Sequence, residues 1–97
     1  MVYVLQMMGT GYYKVGLVLH DDNLIQRVAL LQTGNPFRLS VRCTLEGGRS
    51  EEFKIHQSMS KYAIRGEWFY ENPILFALIE KHATVSLSHN VSLGLDT

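Results

Sequence analysis

The sequence predicts one small α/β (α+β) domain, a three-stranded antiparallel sheet flanked by helices. Three observations predict it. Two apolar, aromatic runs flank the short turn Gly9-Thr10-Gly11. Residues 37–45 alternate apolar and polar with a period of two. Segments with helical spacing lie on either side of that alternating run. A chain of 97 residues suits one domain, and a hydrophobic content of 46% suffices for a core without disulfides or metal staples.

The elements follow in order. Val2 to Met8 reads as a buried strand, and Tyr12 to Leu19 as its hairpin partner. Asp21-Asp22-Asn23 supplies short acceptors and negative charge for a helix start. Leu24, Val28 and Leu31 form that helix's stripe, which Ile25 and Ala29 widen, and Gly34 with Pro36 ends it. Phe37, Leu39, Val41, Cys43 and Leu45 put one buried face on the next strand. Ser50, followed by Glu51 and Glu52, opens a second helix whose one face carries Glu52, Ile55, His56 and Met59. Gly66 closes that segment. Pro73 suits the first turn of a third helix running to about His82, with Leu75, Leu78, Ile79 and His82 as its stripe. Val85 to Leu95 reads as an added edge strand or a tail.

Composition bounds the function. Nine Lys and Arg balance nine Asp and Glu, so no basic tail points to nucleic acid, and any phosphate-binding face is local. Cys43 is the sole cysteine and reads as a small buried hydrophobe, which excludes an internal disulfide and argues against a cysteine-based zinc site. No apolar run is long enough for a membrane span, and the N-terminus lacks a signal peptide's basic start. A cytoplasmic protein, of a bacterial host or a phage-infected cell, is expected.

The chemistry-bearing residues form an ordered set: Tyr3 in the first strand, Lys14-Val15-Gly16 in the second, Arg27 on the first helix, and Glu52 with His56 one helical turn apart. Leu31-Gln32-Thr33-Gly34-Asn35-Pro36 and Gly66-Glu67-Trp68-Phe69 punctuate them. Taken one at a time each has a bland reading. Tyr3 is a core tyrosine, Lys14 a solvent-facing strand residue, Arg27 a snorkelling arginine, Glu51 and Glu52 helix-start acids, and His56 a packed histidine. As a set they resemble the GIY-YIG nuclease superfamily, in particular a small phage-associated branch with Lys-Ile-Gly in its second motif. The resemblance covers about Val2 to Phe69 and makes residues 1–84 a GIY-YIG-like domain, with 85–97 as the edge strand or tail.

The resemblance implies a metal-dependent endonuclease that cleaves phosphodiester bonds. Tyr3 would orient or deprotonate the attacking water. Lys14 would stand across the hairpin from Tyr3 and hold phosphate or depress the tyrosine's pKa. Arg27 would clamp a phosphate with its fork of donors. Glu52 rather than Glu51 would hold Mg2+ or Mn2+, because the Glu-x-x-x-His spacing to His56 selects it. His56 would contact phosphate, hold water or support Glu52. The partner implied is nucleic acid, DNA ahead of RNA, with a protein partner or a homodimer supplying specificity and no membrane involved. Trp68 and Phe69 read as anchors for the last helix, with base stacking by Trp68 the weaker alternative. The rival reading is a non-catalytic GIY-YIG-like module that binds a protein or nucleotide ligand and regulates host or phage machinery.

Overall fold

Val2–Met7 (β1) and Tyr12–Leu17 (β2) pair antiparallel in the predicted hairpin, with Tyr3 opposite Gly16 and Leu5 opposite Lys14. In the tip, Thr10 turns the chain: its hydroxyl donates to the Met7 carbonyl at 2.6 Å and accepts the Tyr12 N–H at 3.1 Å. These are features of a computed structural model that describes residues 1–19 and 23–82. The expected helix start at Asp21 and Asp22, and the edge strand or tail over 85–97, lie outside the described residues.

After the hairpin come helix α1 (Asn23–Gln32), strand β3 (Leu39–Leu45) and helix α2 (Arg49–Ser58). A 3-10 turn over Ser60–Tyr62 leads to β4 (Ala63–Arg65) and β5 (Trp68–Tyr70). Helix α3 covers 73–82. Within α3's cap, Asn72 accepts the backbone N–H groups of Ile74 and Leu75, each at 3.0 Å, so Pro73 sits where its missing donor costs nothing. No helix among the described residues is long and apolar enough to cross a membrane.

The sheet has five strands in the order β3-β1-β2-β5-β4, not three, and all its pairings are antiparallel. The two added strands are three residues each, too short to show a period of two. They are joined through Gly66 and Glu67, because Arg65 already pairs with Trp68. Gly66 has φ of 58°, a left-handed conformation that L side chains resist. It is therefore a hairpin turn residue and not the end of a helix, which stops at Ser58.

Each face of the sheet carries its own core. Val2, Val4, Tyr13, Val15, Cys43 and Phe69 pack with Met59, with Ile55 from α2, and with Leu75, Ile74 and Ile79 from α3. On the opposite face Tyr3, Leu5 and Leu39 pack with Leu24, Val28 and Leu31 from α1, joined by Val41 and Trp68. The alternation in β3 predicted one buried face, but the strand serves both. A bulge pairs Val4 with Cys43 and Leu5 with Val41, leaving Arg42 as the extra residue and switching the inward side between 41 and 43. Nor does Ile25 widen the stripe of α1: it is 80% exposed. Cys43 is buried as expected, and burial pushes its thiol up to about 11.

Candidate active site

The site is built at the Gly16 end of the β1–β2 pair. Tyr3 is fully buried, and its ring reaches across to Gly16. A Cβ at position 16 would fall 2.5 Å from Tyr3 Cζ and still closer to the hydroxyl oxygen, so only glycine leaves room for the ring. The hydroxyl finds no well-formed hydrogen bond, although Arg27 approaches it from α1. Burial raises the Tyr3 pKa, and the nearby Glu67 and Glu52 carboxylates add to the rise while Arg27 opposes it.

Glu52 faces this cluster from the first turn of α2. One of its oxygens, Oε2, is buried without a partner. Its pKa is raised, first by desolvation and then by Glu67, whose carboxyl comes close enough to hydrogen-bond it; His56 and Arg49 pull the other way. Two carboxylates at that range share a proton or need a cation between them. Glu51, the rival ligand, is spent elsewhere: it accepts the Gly48 N–H at 2.9 Å and closes the start of α2.

Glu67 is the residue the sequence reading missed, having been absorbed into a structural tetrapeptide. It sits on the β4–β5 turn and receives Lys14 Nζ at 2.8 Å. A signal was available: an apolar strand that carries a lysine calls for a counter-ion. Lys14 itself is diagonal to Tyr3 on the same face, since Leu5 and not Tyr3 stands opposite it. Its charge is met by Glu67, and the Tyr3 pKa goes up, first through burial.

His56 is held away from the open side of the site. Its Nε2 lies 2.8 Å from the Val15 carbonyl, which can only accept, so Nε2 carries the proton. The ring packs edge-on to Phe69 with centroids 5.1 Å apart. Of the three roles considered, this geometry fits support of Glu52 one helical turn away. The Val15 N–H donates to the Glu67 carbonyl at 3.0 Å. One residue of β2 thus ties down both the helix bearing Glu52 and the turn bearing Glu67.

The structure therefore brings together Tyr3, Lys14, Arg27 and Glu52, with His56 behind them and Glu67 added. Trp68 and Phe69 divide the role expected of both: Phe69 is buried against α2 and α3, whereas Trp68 points to the α1 side. No family model matches this chain, and no curated protein or solved structure matches it.

Proposed function

We propose that the chain is a small metal-dependent endonuclease of the GIY-YIG type, cleaving phosphodiester bonds in nucleic acid. The observation that carries the reading is the convergence of a buried, unpartnered tyrosine hydroxyl and a buried, unpartnered carboxylate oxygen beside two cationic side chains. Uncompensated buried polar atoms cost stability, and they gather where a ligand completes them.

The donor set fits a hard divalent cation. Mg2+ and Mn2+ prefer carboxylate oxygens and fill the remaining positions with water and substrate phosphate, so a cage of three protein ligands is not required. Among the described residues no three His, Cys, Asp or Glu side chains converge to form such a cage. Glu52 would hold the ion with its free oxygen. The ion would supply charge neutralisation at the phosphate and the leaving oxygen.

The chain's own groups do the rest. Arg27 sets its fork of donors against a phosphate next to Tyr3. Tyr3, with its pKa raised by burial, keeps its proton in the free protein and orients a water by hydrogen bonding, beside the Arg27 guanidinium. Lys14 shifts from Glu67 toward the phosphate as negative charge arrives. His56 fixes the turn of helix that carries Glu52.

The test is incubation of the purified protein with DNA and RNA, with Mg2+ or Mn2+ and with chelator, beside Glu52→Gln from the same preparation. Metal-dependent cleavage by the wild type alone supports the reading. Equal cleavage by both proteins would identify a contaminant. No cleavage by either would turn the assignment to the non-catalytic binding module.

A further inference from the structure

The α1 face of the sheet does not end at the candidate site. Beyond Lys14 it continues as a ledge formed by Tyr12, Trp68 and Tyr70, which are cross-strand neighbours: Tyr12 pairs with Tyr70, and Lys14 pairs with Trp68. α1 packs over Tyr3, Leu5 and Leu39. On the ledge, Tyr12, Ile64 and Tyr70 remain 42%, 40% and 52% exposed. A pocket of about 180 Å³ opens there, walled by Met7, Tyr12, Ile64, Arg65 and Trp68.

From this we infer that the ledge is a stacking platform for an unpaired base, so that the strand entering the site is single-stranded or splayed nucleic acid. The inference rests on the nuclease reading and narrows its substrate class. Three features choose this occupant over an apolar peptide. Two of the five walls, Tyr12 and Trp68, are aromatic rings, with Tyr70 paired beside Tyr12, and a ring face stacks on any base. Cations border them: Arg65 is exposed and in no ion pair among the described residues, and Lys14 Nζ lies 5.8 Å from the centre of the Trp68 ring. The ledge is also continuous with the site, because Tyr12 is two residues from Lys14, roughly 7 Å along the strand. A base on Trp68 therefore leaves its phosphate within reach of Lys14, while the next phosphate runs toward Arg27. A duplex keeps its base faces stacked on one another and cannot use the rings.

Trp68 is the only tryptophan in the chain, so its fluorescence reports on the ledge directly. The experiment titrates the full chain, in chelator and low salt, with a short oligothymidylate, and in parallel with a duplex containing the same strand. Anisotropy of a labelled oligonucleotide records total binding. The expected result is saturable quenching by the single strand and little by the duplex. Tyr12→Leu and Arg65→Ala should each weaken single-strand binding about five-fold or more while melting like the wild type. Binding seen by anisotropy without quenching would overturn the platform and leave the nuclease reading standing. So would unchanged affinity in both variants, or equal quenching by duplex and single strand. No binding of any oligonucleotide, together with no cleavage, would remove both. Quenching without cleavage in metal would keep the platform and remove the nuclease.

Discussion

Gly16 stands directly opposite Tyr3, and the tyrosine ring occupies the space where any other residue would place its Cβ. The second strand's glycine is thus required by the first strand's tyrosine. Gly16→Ala is expected to push a fully buried ring out of position. It should destabilise the domain by about 1–3 kcal/mol, the usual cost of overpacking. Cleavage should fall further than the lost stability explains, because the hydroxyl moves. Denaturant unfolding and activity on the same preparation check both.

Tyr3→Phe is expected to do the reverse to stability. The hydroxyl is buried with no well-formed hydrogen bond, so deleting it relieves part of a desolvation cost of roughly 1–3 kcal/mol. The variant should be at least as stable as the wild type, yet cleave more slowly. A clear drop in stability would mean that Arg27 already satisfies the hydroxyl in the free protein.

Glu52→Gln should abolish metal-dependent cleavage and raise stability at neutral pH. Burial and the neighbouring Glu67 hold the Glu52 pKa above its ordinary value of 4.5, so the folded state binds its proton more tightly than the unfolded state. Stability then declines as pH rises from about 4.5 through the raised value, and levels off beyond it. Glutamine removes that decline. The gain should be absent in acid and appear once Glu52 is ionised in the wild type. Cleavage should rise over the same pH window, since the proton competes with the metal. Thermal melts of both proteins from pH 4 to 8, with and without Mg2+, read the sign.

Phe69 and Trp68 should separate cleanly. Phe69 is 2% exposed and lies between the sheet and two helices, so Phe69→Ala should cost about 3–5 kcal/mol. Trp68 is half-buried at the margin of the other core, and Trp68→Leu should cost about 1 kcal/mol, measured by urea unfolding.

Much of the frame is legible in the sequence because local signals mark it: the hairpin at Gly9-Thr10-Gly11, the stripe of α1, and the proline of α3, though not the Asn72 cap before it. The convergence of Tyr3, Arg27 and Glu52 is legible only as an ordered set, since each residue alone has a bland account. Three more things escape. The β4–β5 hairpin has strands of three residues, too few for a pattern. Lys14 on an apolar strand signals the need for a counter-ion, but which acid supplies it, Glu67, is set by the β4–β5 turn and is not legible. The bulge at Arg42 is hidden too, because the letters of β3 keep alternating while the backbone changes sides.

The double tether on Val15 bears on when the site comes into existence during folding. His56 reaches Val15 across 41 positions of sequence, and Glu67 reaches Lys14 across 53. Such contacts form only after the intervening loops have closed, and loop closure slows the pairing of distant segments. The β1–β2 hairpin, with Tyr3 and Lys14 on it, needs only local contacts and is free to form early. Glu52 and Glu67 join it when α2 and the last hairpin dock. A partly folded chain therefore holds half of the constellation without its carboxylates, and acid groups and cationic groups meet only in the finished domain.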